Sequence, residues 1–304
     1  MYDLIIIGAG PAGLTAALYA GRYRMNTVVL EKLACGGQII FTPTIENFPG
    51  FPGGIATDEL IEQMKNQVAD VGVKIESDEV LEISQASGSF TVVTKDNTLS
   101  AKTIIISAGA QTKHLGVEGE DRLAGRGVSY CGTCDGPLFK NKDIVVVGAG
   151  DRAIEDALFL TSHARKVSII HRRNELRASR ILQEKARSNL KIEFVLDSVV
   201  EEILGKARVE AVRIKNLKTN RISEIICQGV FIFVGIKPST DFLKGFIQLD
   251  ESGFIITNDE MATSRSGIFA CGDCRKKTLY QVVNACGEAA VACYAANKYL
   301  VEAR

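Results

Sequence analysis

The apolar positions of the chain fall into two similar runs. Residues 3–7 (DLIII) form a short apolar strand pattern, GAGPAG follows at 8–13, and a helical run leads to a second apolar strand at 27–30. The same order returns at 143–153 (DIVVVGAGDRA), again followed by a helical run and an apolar strand, 166–170 (KVSII). Each run therefore predicts a β-α-β unit.

The segments between and after these units predict the domain organisation. A loop rich in glycine and proline precedes a helix that we expect to run from Asp58, as N-cap, to about Val71. The chain closes with GIFACGDC and a long apolar helix that has no sheet of its own. The simplest packing joins 1–112 and 244–304 in one discontinuous domain, with 113–243 inserted as the second. The predicted fold class is α/β.

Composition and charge give no indication of a nucleic-acid or membrane partner. The 304 residues carry a formal net charge of zero, which gives no reason to expect nucleic acid or an anionic membrane as partner. No apolar run reaches the roughly 18 residues that span a bilayer. The N-terminus reads as a strand and not as a targeting leader, so we expect a cytoplasmic protein. Eight cysteines in such a chain are expected to be mostly reduced, with one catalytic pair at most.

The first glycine turn predicts a nucleotide site. Gly8 allows a tight turn, Gly10 lets a pyrophosphate approach the backbone, and Gly13 lets helix and strand pack closely. Glu31 ends the second strand 21 residues after Gly10. Its carboxylate can accept hydrogen bonds from ribose hydroxyls and would repel a 2′-phosphate, so FAD or NAD fits.

The second glycine turn predicts the opposite preference. The sequence HRRNELR begins 21 residues after Gly150, and Arg172, Arg173 and Arg177 can neutralise a 2′-phosphate. The third small residue of this turn is Ala153, which is common in NADP sites. The first turn thus predicts an adenosine site that excludes a 2′-phosphate, and the second predicts a site that binds one. We therefore expect FAD at the first turn and NADPH at the second.

A Cys-x-x-Cys motif, CGTCDG, precedes the second unit. Cys131 and Cys134 are a redox candidate, because two intervening residues allow a reducible disulfide. Asp135 follows directly and can exchange a proton near the pair. One alternative is a zinc site, since Cys271 and Cys274 form a second Cys-x-x-Cys. The other is a pair of buried thiols without a redox role.

Taken together, these motifs resemble the low-molecular-weight thioredoxin reductase family over nearly the whole chain. GAGPAG, GGQ, IENFPG, CGTCDG, GAGDRA, HRRNELR and GIFACGDC occur in the order found in that family. The resemblance implies two Rossmann-like three-layer ββα nucleotide-binding domains, with the NADPH domain inserted into the FAD domain. The residues implied for FAD are Gly8, Gly10, Gly13, Glu31, Gly36, Gly37, Gln38, Asn47, Gly272, Asp273, Gln281 and Val282. Those implied for NADPH are Gly148, Gly150, Ala153, Glu155, Arg172, Arg173 and Arg177.

The resemblance also implies an electron path. Cys134 would face the flavin, Cys131 would exchange with the protein substrate, and Asp135 would donate the proton. Electrons would pass from NADPH through FAD to the Cys131–Cys134 disulfide and on to oxidised thioredoxin. The family works as a homodimer in which the NADPH domain rotates relative to the FAD domain.

Some positions depart from the family pattern. Gly132 stands where alanine is more frequent, and Arg152 stands where a small hydroxyl residue is usual. Arg152 either adds a phosphate contact or crowds the nucleotide site. Tyr280-Gln281 replaces an Arg-Gln pair, so only the glutamine carries over, and Cys274 replaces a usual valine.

Several alternatives concern the donor, the acceptor or the class of protein. Relatives that take electrons from ferredoxin have lost the NADPH motifs, whereas HRRNELR is intact here. Peroxiredoxin-linked disulfide reductases usually carry an additional N-terminal thioredoxin-like region, whereas this chain starts at the predicted FAD strand. A flavin-containing binding protein with a structural zinc belongs to a different class altogether.

Overall fold

The chain folds into two compact units. The computed structural model describes residues 1–41, 44–86 and 88–302, apart from the side chains at positions 41, 133 and 134. The first unit comprises Met1–Gln111 and Lys237–Arg304, and the second comprises Thr112–Ile236.

The second unit ends earlier than the predicted inserted domain, 113–243. The chain that follows Ile236 packs with the first unit. Leu243 is completely buried in a core cluster of that unit. The Ser239 amide donates a hydrogen bond to the Gly109 carbonyl at 3.0 Å. These contacts assign the stretch after Ile236 to the first unit.

Strands outnumber helices along the chain. The strands are β1 (Tyr2–Ile7), β2 (Thr27–Glu31), β3 (Thr44–Ile45), β4 (Ile55–Ala56), β5 (Lys74–Ser77), β6 (Val80–Ala86), β7 (Ser89–Thr94), β8 (Thr98–Ile106), β9 (Ala110–Thr112), β10 (Val128–Ser129), β11 (Asp143–Val147), β12 (Lys166–Ile170), β13 (Ile192–Val195), β14 (Ser198–Leu204), β15 (Ala211–Asn216), β16 (Ile222–Ile226), β17 (Gly229–Ile232), β18 (Ile236–Pro238) and β19 (Ile268–Ala270). The α-helices are α1 (Pro11–Arg22), α2 (Thr57–Asp70), α3 (Gly132–Asp135), α4 (Asp151–Leu160), α5 (Arg180–Ser188) and α6 (Val282–Glu302). Short 3₁₀ segments are Gly37–Phe41, Gly136–Phe139, Asp241–Leu243 and Gly272–Cys274.

A seven-stranded sheet organises the first unit. Its order is β5-β2-β1-β8-β7-β6, and β19 also pairs with β8. The pairs among β5, β2, β1, β8 and β19 are parallel, whereas β7 and β6 are antiparallel. Leu4 and Ile6 lie in a core cluster with residues of α1 and α6, and Ile5 and Ile7 lie in the cluster on the opposite face. Burial on both faces explains why residues 4–7 of β1 form an uninterrupted apolar run.

The second unit repeats this layered arrangement on a smaller scale. Its five-stranded sheet has the order β10-β17-β11-β12-β13, with every pair parallel. One face packs against α4, and Ile144 and Val146 share a core cluster with Ala157 of that helix. The other face packs against the antiparallel sheet β14-β15-β16, and Val145 shares a core cluster with Val212 of that sheet. Each unit is therefore a three-layer α/β structure.

The beginning of α2 differs from the sequence prediction. The helix begins at Thr57 after Ala56 as N-cap, so the prediction that Asp58 is the N-cap was wrong. Asp58 lies in the first turn instead, where a carboxylate interacts favourably with the helix dipole. Among the described residues, no helix has the length and apolarity needed to cross a membrane.

Candidate active site

The first glycine turn is shaped by close backbone contacts. Gly8 has a φ of +101°, and a Cβ there would lie 2.5 Å from the Ser107 carbonyl oxygen. A Cβ at Gly13 would lie 1.8 Å from the Gly8 oxygen. Gly10 is the N-cap of α1, whose first turn leaves its amides free to face a phosphate. The turn therefore requires glycine at positions 8 and 13.

Glu31 lies beside this turn. Its Oε2 accepts a hydrogen bond from the Ala9 amide at 2.7 Å, and its Oε1 accepts one from the Leu33 amide at 3.0 Å. The carboxylate is thereby held at the end of β2, beside the first residues of α1. Since Glu31 is partly exposed, it can also accept hydrogen bonds from ribose hydroxyls.

The loop that carries Gly36, Gly37 and Gln38 also reaches the turn. The Gly36 amide donates to the Ala9 carbonyl at 2.8 Å. A Cβ built on Gly37 would approach Gly10 Cα to 3.4 Å. Further along the chain, Asn47 Nδ2 donates to Gln281 Oε1 at 2.9 Å and so joins this loop region to the residue before Val282, where α6 begins.

The segment from Gly272 to Cys274 follows β19. Asp273 Oδ1 is buried and lies 3.0 Å from Lys277 Nζ, yet it makes no hydrogen bond of good geometry within the described part of the chain. A buried acceptor of this kind fits a ligand hydroxyl. The glycine cradle around Gly8 and this buried acceptor fit the dinucleotide FAD.

Sequence reasoning missed Glu288, which anchors the segment. Glu288 is 7% exposed, and its Oε2 accepts a hydrogen bond from the Gly272 amide at 2.9 Å. Its Oε1 accepts hydrogen bonds from Arg275 Nη1 at 2.7 Å and Asn284 Nδ2 at 2.9 Å. The available signal was a single carboxylate within the apolar stretch of α6.

The second glycine turn is packed as closely as the first at Gly148, but the space around Gly150 is open. Gly148 has a φ of +128°, and a Cβ there would lie 2.2 Å from the Phe233 oxygen. Gly150 has nothing within 4 Å of its ideal Cβ, so a ligand can approach it. Ala153 is buried at the third position. Glu155, one turn into α4, is exposed.

The predicted arginines lie at the same end of the second unit. The Arg177 amide donates to the Ala149 carbonyl at 2.8 Å, which ties the arginine loop to the glycine turn. Arg172, Arg173 and Arg177 are all exposed. His171 is buried, and its Nε2 has no hydrogen-bond partner among the described residues. Burial, together with the three arginines, lowers the pKa of His171, so the ring is neutral at pH 7. Exposed guanidinium groups at the end of β12 fit the 2′-phosphate of NADPH.

Cys131 begins the redox segment and is disulfide-bonded. The Ser129 hydroxyl donates to the Cys131 carbonyl and accepts from its amide, both at 3.1 Å. Asp135 is half-buried at the end of α3, and its amide donates to the Cys131 carbonyl at 3.3 Å. The side chain of Cys134 lies outside the described residues, so its pairing with Cys131 stays a prediction.

Tyr130, the residue directly before Cys131, is held in place by hydrogen bonds of its side chain. Its hydroxyl donates to Glu120 Oε1 at 2.7 Å, and Glu120 is 1% exposed. The same carboxylate accepts hydrogen bonds from the amides of Leu115 and Gly116. Burial and the Glu120 hydrogen bond raise the pKa of Tyr130, so its hydroxyl remains a donor at all physiological pH values.

Arg152 is directed toward the redox segment. Its Nη1 donates to the Thr112 hydroxyl and its Nη2 donates to the Tyr130 carbonyl, both at 3.3 Å. Its Nε lies 3.8 Å from Asp156 Oδ2. From the sequence, Arg152 was expected either to contact a phosphate or to crowd the nucleotide site. In the structure its guanidinium instead hydrogen-bonds to the backbone directly before Cys131.

The remaining described cysteines are neutral thiols. Cys274 Sγ donates to the carbonyls of Ile106 and Cys271, at 3.4 and 3.2 Å. Burial is the largest cause that raises the pKa of each of six free thiols, Cys35, Cys227, Cys271, Cys274, Cys286 and Cys293. Within the described part of the chain, no three His, Cys, Asp or Glu side chains come together as a metal site.

Comparison with known proteins agrees with this geometry. The pyridine nucleotide-disulphide oxidoreductase family model matches residues 2–289. The thioredoxin reductase of Peptoclostridium acidaminophilum is 43% identical over 307 residues, which cover 99% of this chain and 97% of that protein. The crystal structure of Lactococcus lactis thioredoxin reductase has a TM-score of 0.97 and 42% identity, covering 99% of this chain and 100% of that one. The thioredoxin reductase structure from T. acidophilum has a TM-score of 0.94 and 34% identity, covering 99% of each chain.

The chain therefore belongs to the pyridine nucleotide-disulphide oxidoreductase family. The family predicted from the motifs, the α/β fold class, and FAD and NADPH as cofactors are confirmed by these comparisons.

Proposed function

We propose that this protein is an NADPH-dependent thioredoxin-disulfide reductase. The main support for this proposal is the disulfide of Cys131. It lies in the same unit as a glycine turn that is flanked by three exposed arginines. Similarity to thioredoxin reductases over 99% of the chain supports the same reading. The overall reaction converts NADPH, a proton and a protein disulfide into NADP⁺ and a protein dithiol.

The two units divide the binding work. The first unit, with Glu31, Asp273 and the turn from Gly8 to Gly13, binds FAD. The second, with the turn from Gly148 to Ala153 and the arginine loop, binds NADPH. Bound FAD supplies the two-electron relay between the nicotinamide and the disulfide. Exposed arginines reading the 2′-phosphate favour NADPH over NADH and over a protein donor such as ferredoxin.

The redox segment performs thiol–disulfide exchange. Two electrons break the S–S bond between Cys131 and Cys134, and two protons complete the dithiol. Cys131, which is partly exposed, attacks the thioredoxin disulfide as a thiolate. Cys134 then attacks the mixed disulfide and releases reduced thioredoxin. Asp135 exchanges protons with the pair.

The enzyme is proposed to act as a homodimer in the cytoplasm. Exposed aromatic side chains on α1 and α6, which pack together, support a subunit contact there: Tyr19 and Tyr294 are 37% and 60% exposed. Light scattering at micromolar concentration tests this directly. A monomer mass would contradict the dimer without affecting the proposed chemistry.

Anaerobic titration of the FAD-loaded protein with NADPH, followed by addition of oxidised thioredoxin, tests the function. NADPH is expected to bleach the flavin, and thioredoxin is expected to restore its colour. Cys131→Ser should keep FAD and its reduction by NADPH but lose thioredoxin reduction. Cys286→Ser, a change at a half-buried free thiol, is the control and should keep both. Substantial thioredoxin reduction by Cys131→Ser would refute the electron path.

A further inference from the structure

A carboxyl group of α4 lies directly against the redox motif. An ideal Cβ on Gly132 would lie 2.6 Å from Asp156 Oδ1, 3.1 Å from its Cγ and 3.2 Å from its Cβ. A side chain at position 132 would therefore have to displace the Asp156 carboxyl group. Glycine between the two cysteines is therefore what allows the Asp156 carboxyl group to contact the backbone of the motif.

The surroundings of Asp156 make its charge sensitive to pH. The side chain is 11% exposed, and on its own helix it faces Arg152, whose Nε lies 3.8 Å from Oδ2, and Glu155. That Arg152 distance is beyond a hydrogen bond. The redox segment beside Gly132 carries the ionisable residues Asp135 and, in the reduced enzyme, Cys131 and Cys134. Burial raises the pKa of Asp156 to about 7; Arg152 opposes this shift and Glu155 adds to it.

We propose that Asp156 is a positioning residue whose charge controls how much thiolate the reduced redox pair carries, so that the Gly132–Asp156 contact makes thiol exchange depend on pH. This inference rests on the proposed disulfide reductase function. When two electrons from NADPH break the disulfide, both sulfurs become anions and take up protons from the surroundings. A neutral Asp156 leaves the Cys131 anion unopposed, whereas an ionised Asp156 disfavours it. The thiol and the carboxyl group therefore titrate as a coupled pair.

Alkylation of the reduced holoenzyme measures this coupling without thioredoxin. The enzyme is reduced anaerobically with NADPH and treated with iodoacetamide across the neutral pH range, and tandem mass spectrometry follows the rate at Cys131. The wild-type rate is expected to rise over a broad pH range. In Asp156→Asn the rise should be a single step. Its rate should match the wild type below about pH 6, where Asp156 is neutral, and exceed it by up to about tenfold above about pH 7, where Asp156 is ionised. Glu184→Gln, which removes an exposed carboxylate of α5, should match the wild type.

A second pair of variants tests the contact itself. Gly132→Ala should displace the carboxyl group and shift the alkylation profile in the same direction as Asp156→Asn. In an Asp156→Ala background, adding Gly132→Ala should produce no further shift, because the obstructing carboxyl group is absent. An equal shift in both backgrounds would show that position 132 acts without Asp156 and would overturn the inference.

The outcomes separate this inference from the proposed function. Wild-type alkylation by Asp156→Asn overturns the role of Asp156, even where thioredoxin is reduced normally. Conversely, a wild-type enzyme that fails to reduce thioredoxin refutes the proposed function, while the alkylation profiles still report on the Asp156 charge.

Discussion

Asp156→Asn is expected to stabilise the folded protein above pH 7 and to change it little near pH 4. Burial raises the pKa of this carboxyl group from 3.8 to about 7, so the folded state favours its neutral form. The stability contributed by that preference is complete below the unfolded-state pKa and is lost as the pH rises through the folded-state pKa. Asparagine stays neutral and avoids the loss. A difference of about three pKa units at about 1.4 kcal/mol each gives an upper figure of about 4 kcal/mol at pH 8.

Thermal unfolding of the oxidised, FAD-loaded enzyme measures this effect. Circular dichroism gives the Tm of wild type and variant at intervals from about pH 5 to about pH 8. The Tm difference should grow with pH and reach at least about 5 °C at the upper end. Glu184→Gln removes an exposed carboxylate in the same unit and should give no such slope. A constant difference between Asp156→Asn and wild type at every pH would refute the reasoning, because it would mean that Asp156 ionises alike in the folded and unfolded chains.

Two further predictions concern catalysis. Replacing Arg172 and Arg173 with alanine should raise KM for NADPH by about tenfold or more per arginine and spare NADH, since each contact with the 2′-phosphate is charge-assisted. Steady-state kinetics with both nucleotides measures this, Arg187→Ala is the control, and an equal effect on both donors would contradict a phosphate-reading role. Asp135→Asn should fold and bind FAD normally but turn over at least about tenfold more slowly, with an altered pH–rate profile, because asparagine cannot exchange the proton. Wild-type turnover across the pH range would leave Asp135 as a turn residue.

Most of the fold was predictable because its signals are local. An uninterrupted apolar strand followed by a glycine turn has few alternatives when, as at Gly13, a Cβ would lie 1.8 Å from a carbonyl oxygen. Boundaries were less predictable. The N-cap of α2 is Ala56 and not Asp58. The sequence does not distinguish these two helix starts, because both place the Asp58 carboxylate near the helix N-terminus. The end of the second unit depends on where Leu243 packs, which sequence spacing does not encode.

The candidate site divides in the same way. Glycines, Glu31 and the cysteines belong to motifs, so their positions were predictable from spacing. The roles of Arg152, Glu288 and Asp156 depend on contacts between segments distant in the chain. Arg152, for example, hydrogen-bonds to the Tyr130 carbonyl and the Thr112 hydroxyl, both of which lie outside α4. From its position beside the second glycine turn, Arg152 could be expected to bind phosphate, and only the folded structure shows that its guanidinium reaches the Tyr130 carbonyl.

The neutral state of the six free thiols bears on how the enzyme survives peroxide. Hydrogen peroxide and disulfides react with thiolates, and sulfinic or sulfonic acids form only after a first attack on such an anion. Burial keeps these thiols protonated, and the raised pKa of Cys274 is about 12. We therefore expect peroxide to react first at the reduced redox pair, where a sulfenic acid on Cys131 would condense with the Cys134 thiol. The product is the same disulfide that the proposed catalytic cycle reduces, so turnover would reverse this oxidation.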